Sequence, residues 1–321
     1  MMPYADDHIL QIAETWEQAG HDLALAVVVS TWGSSPRQPG SLMIIRDDGL
    51  IEGSVSGGCV EGAVIDAGMR AMQNAGTERL EFGVADETAW QVGLSCGGTI
   101  VIWVCAKDAM EPGLIISAAS ALRSRQPVHL ECRMADGRLS AGDPDHAANT
   151  LSDDGRIFLL TIKARPRLFI IGAVHISQHL APMAMQTGFD VKVIDPRTTF
   201  ATEARFPGVE LIADWPDTIL GQYPLDAGTA LVTLTHDPKI DDAALKTALP
   251  HPVFFIACLG SRRTHKARLE RLEDAGIKEA DLARIHGPAG FAIKAETPAE
   301  IAVSVLAQLI AARRGALESS N

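Results

Sequence analysis

Two short stretches of the sequence place a cysteine thiol beside a pair of glycines. In residues 54–62 (SVSGGCVEG), Cys59 follows the glycine pair, and in residues 94–99 (LSCGGT), Cys96 precedes it. Glycine lets the backbone approach a ligand or another segment closely, because it has no Cβ atom and tolerates positive φ. Each thiol is therefore either a reactive group or a small buried apolar side chain, and the two motifs alone leave both interpretations open.

The residues after Cys59 predict a helix, because apolar side chains recur at helical spacing until about Gly76. Cys59 is thereby placed at a helix N-terminus, where free N–H groups and the helix dipole favour a thiolate. Glu61 lies in the first turn and opposes this effect by adding negative charge. These two effects oppose each other, and the sequence leaves open whether the thiolate of Cys59 is favoured.

The first half of the chain predicts a mixed α+β domain that positions both cysteine motifs. An amphipathic helix over residues 7–19 precedes a β-branched, apolar strand over residues 23–30. A hairpin with an Asp-Gly turn then leads into the Cys59 motif. Further elements are expected at residues 79–84 (strand), 99–106 (strand) and 113–125 (helix), followed by two or three strands that reach Ile162. Cys105 and Cys132 lie inside strands and are expected to be packing residues.

The second half follows a basic, proline-broken linker at residues 163–167. Strands are predicted at residues 168–171, 190–194, 229–233 and 253–258, each followed by a helical segment. Alternating strands and helices are typical of a doubly wound parallel sheet. The sequence therefore predicts an α/β protein with an N-terminal α+β domain at residues 1–163 and a Rossmann-like domain at residues 164–321.

The first strand–turn–helix unit of the second half resembles a dinucleotide fingerprint only in part. Gly172 holds the first glycine position, Val174 the second and Ser177 the third, and Asp195 ends the next strand. The second glycine normally admits the pyrophosphate, and the acid binds the ribose hydroxyls. Because Val174 puts a branched side chain where backbone should meet phosphate, we expect the Rossmann fold without tight NAD(P) binding.

Four loops of the second half carry residues suited to ligand chemistry, the fourth of them at residues 286–290 (HGPAG). His175 opens the helix after Gly172, and a strand ends directly before the segment that contains His236 and Asp237. Arg262 and Arg263 open another helix, where guanidinium and backbone N–H groups suit a phosphate. Each feature also has a structural interpretation, as a cap, a turn or a solvated basic surface. Because these loops all lie at the carboxyl edge of the sheet, the sequence favours one pocket that they share over a binding site formed by any single loop.

Charge and composition exclude several classes of function. The net charge of −12 argues against a nucleic-acid or anionic-membrane binder. No run of 18 apolar residues predicts a membrane span, and the first residues lack the pattern of a signal peptide. Five widely spaced cysteines fit reduced thiols in a cytoplasmic protein better than a disulfide framework.

Taken together and in order, the motifs resemble the XdhC/CoxI family. The N-terminal resemblance rests on residues 33–40 (GSSPRQPG), 53–61 (GSVSGGCVE) and 93–98 (GLSCGG). The C-terminal resemblance rests on THDPK, GSRR, HGPAG and TPAEIAVS, which begin at residues 235, 260, 286 and 297. Family members usually carry a Gly-x-Gly-His turn, whereas this chain has Gly-Ala-Val-His at residues 172–175.

The resemblance implies an accessory protein of xanthine dehydrogenase or a related molybdenum hydroxylase, a cofactor chaperone more than an enzyme. Such a protein binds molybdenum cofactor, supports its sulfuration by a cysteine desulfurase partner and delivers it to the apo-hydroxylase, as a homodimer. Cys59 is the first candidate for a functional thiol and for a molybdenum contact, with Cys96 second. The expected cofactor-binding residues are Arg37, Ser56, Gly57, Gly58, Gly97, Gly98, Gly172, His175, Asp195, His236, Asp237, Arg262 and Arg263.

Two other functions are compatible with the residues. One is an NAD(P)-dependent oxidoreductase built on the Rossmann domain, against which Val174 argues. The other is a sulfur-transfer enzyme that works through Cys59 or Cys96. Nicotinamide binding and persulfide formation, respectively, distinguish these two from a cofactor chaperone.

Overall fold

The computed structural model describes residues 6–33, 37–83, 98–145 and 149–317. These residues form two compact units that divide between Ala164 and Arg165. None of the described helices combines the length and the apolar character that a membrane span requires.

The first unit is built on a five-stranded antiparallel sheet with the order β3-β2-β1-β5-β4. Its elements are α1 (Asp6–Gln18), β1 (Leu23–Trp32), β2 (Leu42–Arg46), β3 (Ile51–Gly53), α2 (Glu61–Gln73), β4 (Thr77–Phe82) and β5 (Thr99–Ala106). A second antiparallel sheet follows helix α3 (Leu114–Arg123) and has the order β7-β6-β9-β8. Its strands are β6 (Val128–Arg133), β7 (Arg138–Ala141), β8 (Thr150–Leu151) and β9 (Ile157–Ile162).

Strand β1 is apolar from Leu23 to Val29 because both faces of the larger sheet are covered there. Its odd-numbered residues from Leu23 to Val29 belong to an apolar cluster that includes residues of α1 and α3. The alternating residues Ala24, Ala26 and Val28 belong to a second cluster with residues of α2. A strand that is buried on both faces requires an unbroken apolar run, which is the pattern in the sequence.

The second unit is a six-stranded parallel sheet with the order β12-β11-β10-β13-β14-β15. Its strands are β10 (Arg167–Ile171), β11 (Asp190–Ile194), β12 (Glu210–Ile212), β13 (Thr229–Thr233), β14 (Phe255–Cys258) and β15 (Ile285–His286). Its helices are α4 (His175–Gln186), α5 (Pro216–Leu220), α6 (Pro238–Ala248), α7 (Arg262–Asp274), α8 (Glu279–Leu282) and α9 (Pro298–Arg313). Strand order reverses beside β10, as in a doubly wound Rossmann fold.

Alternate residues of β10 enter different apolar layers, Leu168 and Ile170 on one side and Phe169 and Ile171 on the other. Helices therefore cover both faces of the parallel sheet, and the loops after β10, β11, β13 and β14 share its carboxyl edge. The predicted fold class, an α+β unit followed by a Rossmann-like parallel sheet, is confirmed.

Candidate functional site

The loop between β3 and α2 folds around the carboxylate of Glu61. Five groups donate hydrogen bonds to it: the hydroxyls of Ser54 and Ser56, and the backbone amides of Ser56, Gly57 and Gly58. Gly57 and Gly58 have φ of 83° and 117°, which lets their consecutive amides turn towards one acceptor. The loop is thus an anion-binding turn whose anion is supplied by the chain itself.

The same network fixes the backbone of Cys59. The buried hydroxyl of Ser56 donates to Glu61 and accepts from the amides of Cys59 and Val60, each at 3.0 Å. Cys59 lies two residues before the first residue of α2 and is half-buried against the apolar cluster of that face. The space beside Gly58, the residue before Cys59, is open, because a Cβ atom added to Gly58 would meet no atom within 4 Å.

The pKa of Glu61 reflects this environment. Burial raises it, but hydrogen bonds from Ser56 and Ser54 outweigh the burial and lower the pKa to about 2. The sequence predicted only that Glu61 adds negative charge near the thiol; its role as the acceptor at the centre of the loop was missed. The signal was a glutamate three residues after a glycine pair, a spacing that lets its side chain reach back to the loop amides, as in a capping box.

Arg37 is brought to this loop, because its Nε donates to the backbone carbonyl of Ser54 at 2.9 Å. The structure therefore joins five of the predicted residues, Arg37 and Ser56 to Cys59, in one local site. Gly98 is buried and directly precedes β5. Cys96 and Gly97 lie outside the described residues.

The remaining described thiols differ from Cys59 in their burial. Cys105, Cys132 and Cys258 are all completely buried, and each is free of disulfides. Desolvation raises the pKa of Cys105 to about 12 and that of Cys258 to about 11, and it raises the pKa of Cys132 further. These three are inert packing residues, and among the described cysteines only Cys59 presents sulfur at a partly exposed position.

In the second unit, the turn after β10 is tied to the end of β11. The carboxylate of Asp195 accepts from the amide of Ala173 at 2.7 Å and from the guanidinium of Arg197 at 2.7 and 2.9 Å. The amide of Val174 donates to the hydroxyl of Ser177 at 2.8 Å. The backbone amides of Ala173 and Val174 are therefore already bonded to side chains of the protein.

Asp195 is completely buried. Burial raises its pKa, but hydrogen bonds from Arg197 and the Ala173 amide outweigh the burial, so the pKa lies below its usual value and the group is ionised. Asp195 stands at the position that binds ribose hydroxyls in dinucleotide-binding proteins. Here its carboxylate instead binds the turn after β10 and Arg197. His175, by contrast, is exposed at the first turn of α4.

The loops after β13 and β14 lie side by side because these strands pair. His236 is exposed, and Asp237 caps α6 by accepting from the amide of Lys239 at 2.9 Å. Ser261 caps α7, which leaves Arg262 and Arg263 exposed in its first turn. The structure thus places these predicted residues at one carboxyl edge of the parallel sheet. In the described parts of the chain, no three side chains of His, Cys, Asp or Glu form a group that could hold a metal ion.

Family models match both units of the chain. The XdhC Rossmann domain matches residues 168–309, and the XdhC and CoxI family matches residues 16–83. The chain belongs to the XdhC and CoxI family. The first match contains the candidate residues of the parallel sheet, from Gly172 to Arg263, and the second contains Arg37 and the whole Cys59 loop. The segment with Cys96 falls between the two matches.

Three curated relatives align with nearly the whole chain. The molybdenum cofactor insertion chaperone PaoD of Escherichia coli is 28% identical over 311 residues, with 96% of this chain and 89% of PaoD covered. A probable xanthine dehydrogenase subunit of Bacillus subtilis is 26% identical over 317 residues, with 91% and 94% covered. The uncharacterized protein YqeB of Escherichia coli is 27% identical over 309 residues, or 96% of this chain. The chain spans about half the length of YqeB, 47%.

A solved structure shares the fold of this XdhC and CoxI family member. It is described as a xanthine dehydrogenase from Bacillus halodurans and superposes with a TM-score of 0.77 at 23% identity, covering 99% of this chain and 98% of the other. The likeness therefore extends over both units.

Proposed function

We propose that this chain binds molybdenum cofactor as cargo and supports its sulfuration and insertion into an apo molybdenum hydroxylase of the xanthine dehydrogenase type. The observation that carries the proposal is the alignment with PaoD, a molybdenum cofactor insertion chaperone, over 96% of this chain and 89% of PaoD. The relative named as a probable xanthine dehydrogenase subunit supports the class of client.

The N-terminal site fits a soft metal centre through its thiol. A thiolate is a soft ligand, suited to a molybdenum centre that carries sulfur. Cys59 is the partly exposed thiol of the described residues, with open space beside Gly58. The amides of Gly57 and Gly58 already donate to Glu61. We therefore assign the contact of this loop with the cargo to the Cys59 sulfur, and we assign the loop amides to holding that sulfur in place.

The carboxyl edge of the parallel sheet fits the phosphate of the pterin. Arg262 and Arg263 are exposed at the start of α7, where backbone N–H groups and the helix dipole also favour an anion. We include His175, His236 and Asp237 in this cofactor-binding edge. Asp195 acts indirectly, because it is buried and holds Arg197 and the turn after β10.

The nicotinamide-dependent alternative has weaker support. Val174 occupies the position of the second fingerprint glycine, and its amide donates to Ser177. The acid at the end of β11 is completely buried. Both observations disfavour a bound NAD(P), and titration with NADPH checks this point directly.

We further propose that the protein works in the cytoplasm as a homodimer, with a cysteine desulfurase as its second partner. Free thiols at Cys59, Cys105, Cys132 and Cys258 are consistent with a reducing compartment. We also propose that the two compact units are the functional domains, at residues 1–163 and 164–321.

Reconstitution of a hydroxylase tests the proposal. Purified protein loaded with sulfurated molybdenum cofactor is mixed with an apo-hydroxylase, and the rate of activation is compared with that of free cofactor. We expect faster activation with wild-type protein and with Cys132→Ala, a matched control that removes a buried thiol, and slower activation with Cys59→Ala. Equal activation with free cofactor and with the loaded wild-type protein would contradict the proposed function.

A further inference from the structure

His236 adopts a backbone conformation that is unusual for a residue with a side chain. Its φ is 63°, in the left-handed region, and it lies three residues after Thr233, the last residue of β13. Such a residue is strained and persists only where its surroundings fix it. His236 is also exposed, so packing of its own side chain does not account for the conformation.

Hydrogen bonds hold both neighbours of His236. The hydroxyl of Thr235 accepts from the amide of Asp237 at 3.0 Å and donates to the carboxylate of Asp241 at 2.6 Å. The carboxylate of Asp237 accepts from the amide of Lys239. These hydrogen bonds fix the turn to the start of α6. Asp241 is the most buried of the residues that hold it.

A buried arginine connects this anchor to the neighbouring loop. Arg268 of α7 lies 3.7 Å from Asp241, and the two residues are 2% and 1% exposed. Nη2 of Arg268, the atom that lies near Asp241, also donates to the carbonyl of Leu259 at 3.0 Å. Leu259 begins the loop that leads to Arg262. One ion pair therefore connects the turn at His236 to the loop that starts α7.

A buried ion pair is by itself weak evidence for a role in stability. Taking two charges out of water costs more than a distant contact returns, and buried pairs are often replaceable by apolar residues without loss. Among the described residues, Nε and Nη1 of Arg268 and Oδ2 of Asp241 have no hydrogen-bond partner. Burial raises the pKa of Asp241, because desolvation disfavours its charged form. A costly pair that reaches two adjacent loops is suited to positioning them.

We propose that Asp241 and Arg268 are positioning residues, which fix the loops at residues 235–237 and 259–263 so that His236 and the N-terminus of α7 bind one phosphate group of the cargo. The proposal rests on the proposed function for the identity of that cargo. Neither Asp241 nor Arg268 touches the cargo itself, because both are buried.

The chain offers a closely matched control pair. Asp242, the next residue on α6, pairs with Arg271 of α7 at 2.7 and 3.0 Å and so joins the same two helices. It forms no hydrogen bond to either loop among the described residues. Asp241→Asn and Asp242→Asn therefore remove equivalent charges from the same helix–helix contact, and only the first removes a charge that positions the loops.

Affinity of the full-length variants for molybdenum cofactor, followed by pterin fluorescence, is the first readout. We expect Asp241→Asn to weaken binding at least about tenfold and Asp242→Asn to change it by less than about twofold. Thr235→Val removes the hydroxyl that bonds both Asp241 and the amide of Asp237 but keeps the buried ion pair. It weakens binding in the same direction and replaces Asp241→Asn if that variant does not fold. Equal losses in the Asp241 and Asp242 variants, or unchanged binding in Asp241→Asn and Thr235→Val, would overturn the proposal.

A second readout needs no cofactor and separates this proposal from the proposed function. The ring signals of His236 in a ¹H–¹³C spectrum are assigned by their loss in His236→Gln. We expect them to shift in Asp241→Asn or Thr235→Val and to stay in place in Asp242→Asn. Wild-type protein that binds no cofactor would refute the proposed function, whereas unmoved His236 signals in Asp241→Asn and Thr235→Val would refute the positioning role.

Discussion

Replacing Glu61 by glutamine removes the acceptor around which the Cys59 loop is folded. The carboxylate accepts from five donors, whereas glutamine offers one oxygen and turns an NH₂ group towards the remaining N–H groups. The fall in pKa from 4.5 to about 2 corresponds to at most about 3 kcal/mol. Because the group is only half-buried, solvent screening reduces this to about 1–2 kcal/mol, the expected loss in free energy of unfolding at pH 7.

The sign of the pH dependence follows from the direction of the pKa shift. The folded-state pKa of Glu61 is below its unfolded value, so its stabilisation is present above pH 4.5 and is lost as the pH falls through about 2. The difference in stability between wild type and Glu61→Gln is therefore full at pH 7, decreases below pH 4.5 and vanishes below about pH 2.

Urea unfolding followed by tryptophan fluorescence measures this difference, because four of the five tryptophans precede residue 104. Trp103 is buried in β5 of the same unit as the Cys59 loop. Glu81→Gln on β4 is the control, since its ion pair with Arg79 is exposed and contributes little. Equal stabilities of wild type and Glu61→Gln at pH 7, or a difference that does not change with pH, would refute the role assigned to Glu61.

Two further predictions concern the thiols and the turn after β10. Iodoacetamide added to the native protein labels Cys59 faster than Cys105 or Cys258, because burial raises the pKa of those two thiols. Peptide mass spectrometry measures the order of labelling. Preferential labelling of either buried thiol would contradict the assignment. Gly172→Ala lowers the free energy of unfolding by about 2–4 kcal/mol, because φ is 110° and the new Cβ would lie 2.6 Å from Cγ2 of Thr235. Thermal unfolding tests the second prediction, and an unchanged midpoint would contradict it.

The fold could be predicted because its signals are periodic and local. From Leu23 to Val29, strand β1 is an unbroken apolar run, and the structure covers it on both faces. Alternating strands and helices after residue 167 specified the parallel sheet, and Asp-Gly at residues 48–49 specified the hairpin between β2 and β3. Boundaries shifted by about two residues where helices and strands end, since end residues depend on caps that tertiary contacts complete.

For the site, the sequence predicted residues whose side chains have a characteristic chemistry, but it did not predict the contacts that position them. Cys59 was placed near a helix start from its neighbours in sequence, as the structure has it. The contacts that hold the loops were not visible, because Arg268 meets Asp241 across 27 positions of sequence and Asp195 meets Ala173 across 22. The left-handed conformation of His236 was also hidden, because no glycine or asparagine marks it.

The central claim is that the chain carries molybdenum cofactor and that the Cys59 sulfur contacts it. The most direct measurement is the molybdenum and pterin content per chain, by metal analysis and fluorescence of the oxidised pterin, after purification from cells that make the cofactor. We predict that wild type and Cys132→Ala retain the cofactor and that Cys59→Ala loses most of it. Wild-type protein without molybdenum or pterin would contradict the claim, and full retention by Cys59→Ala would contradict the assigned contact.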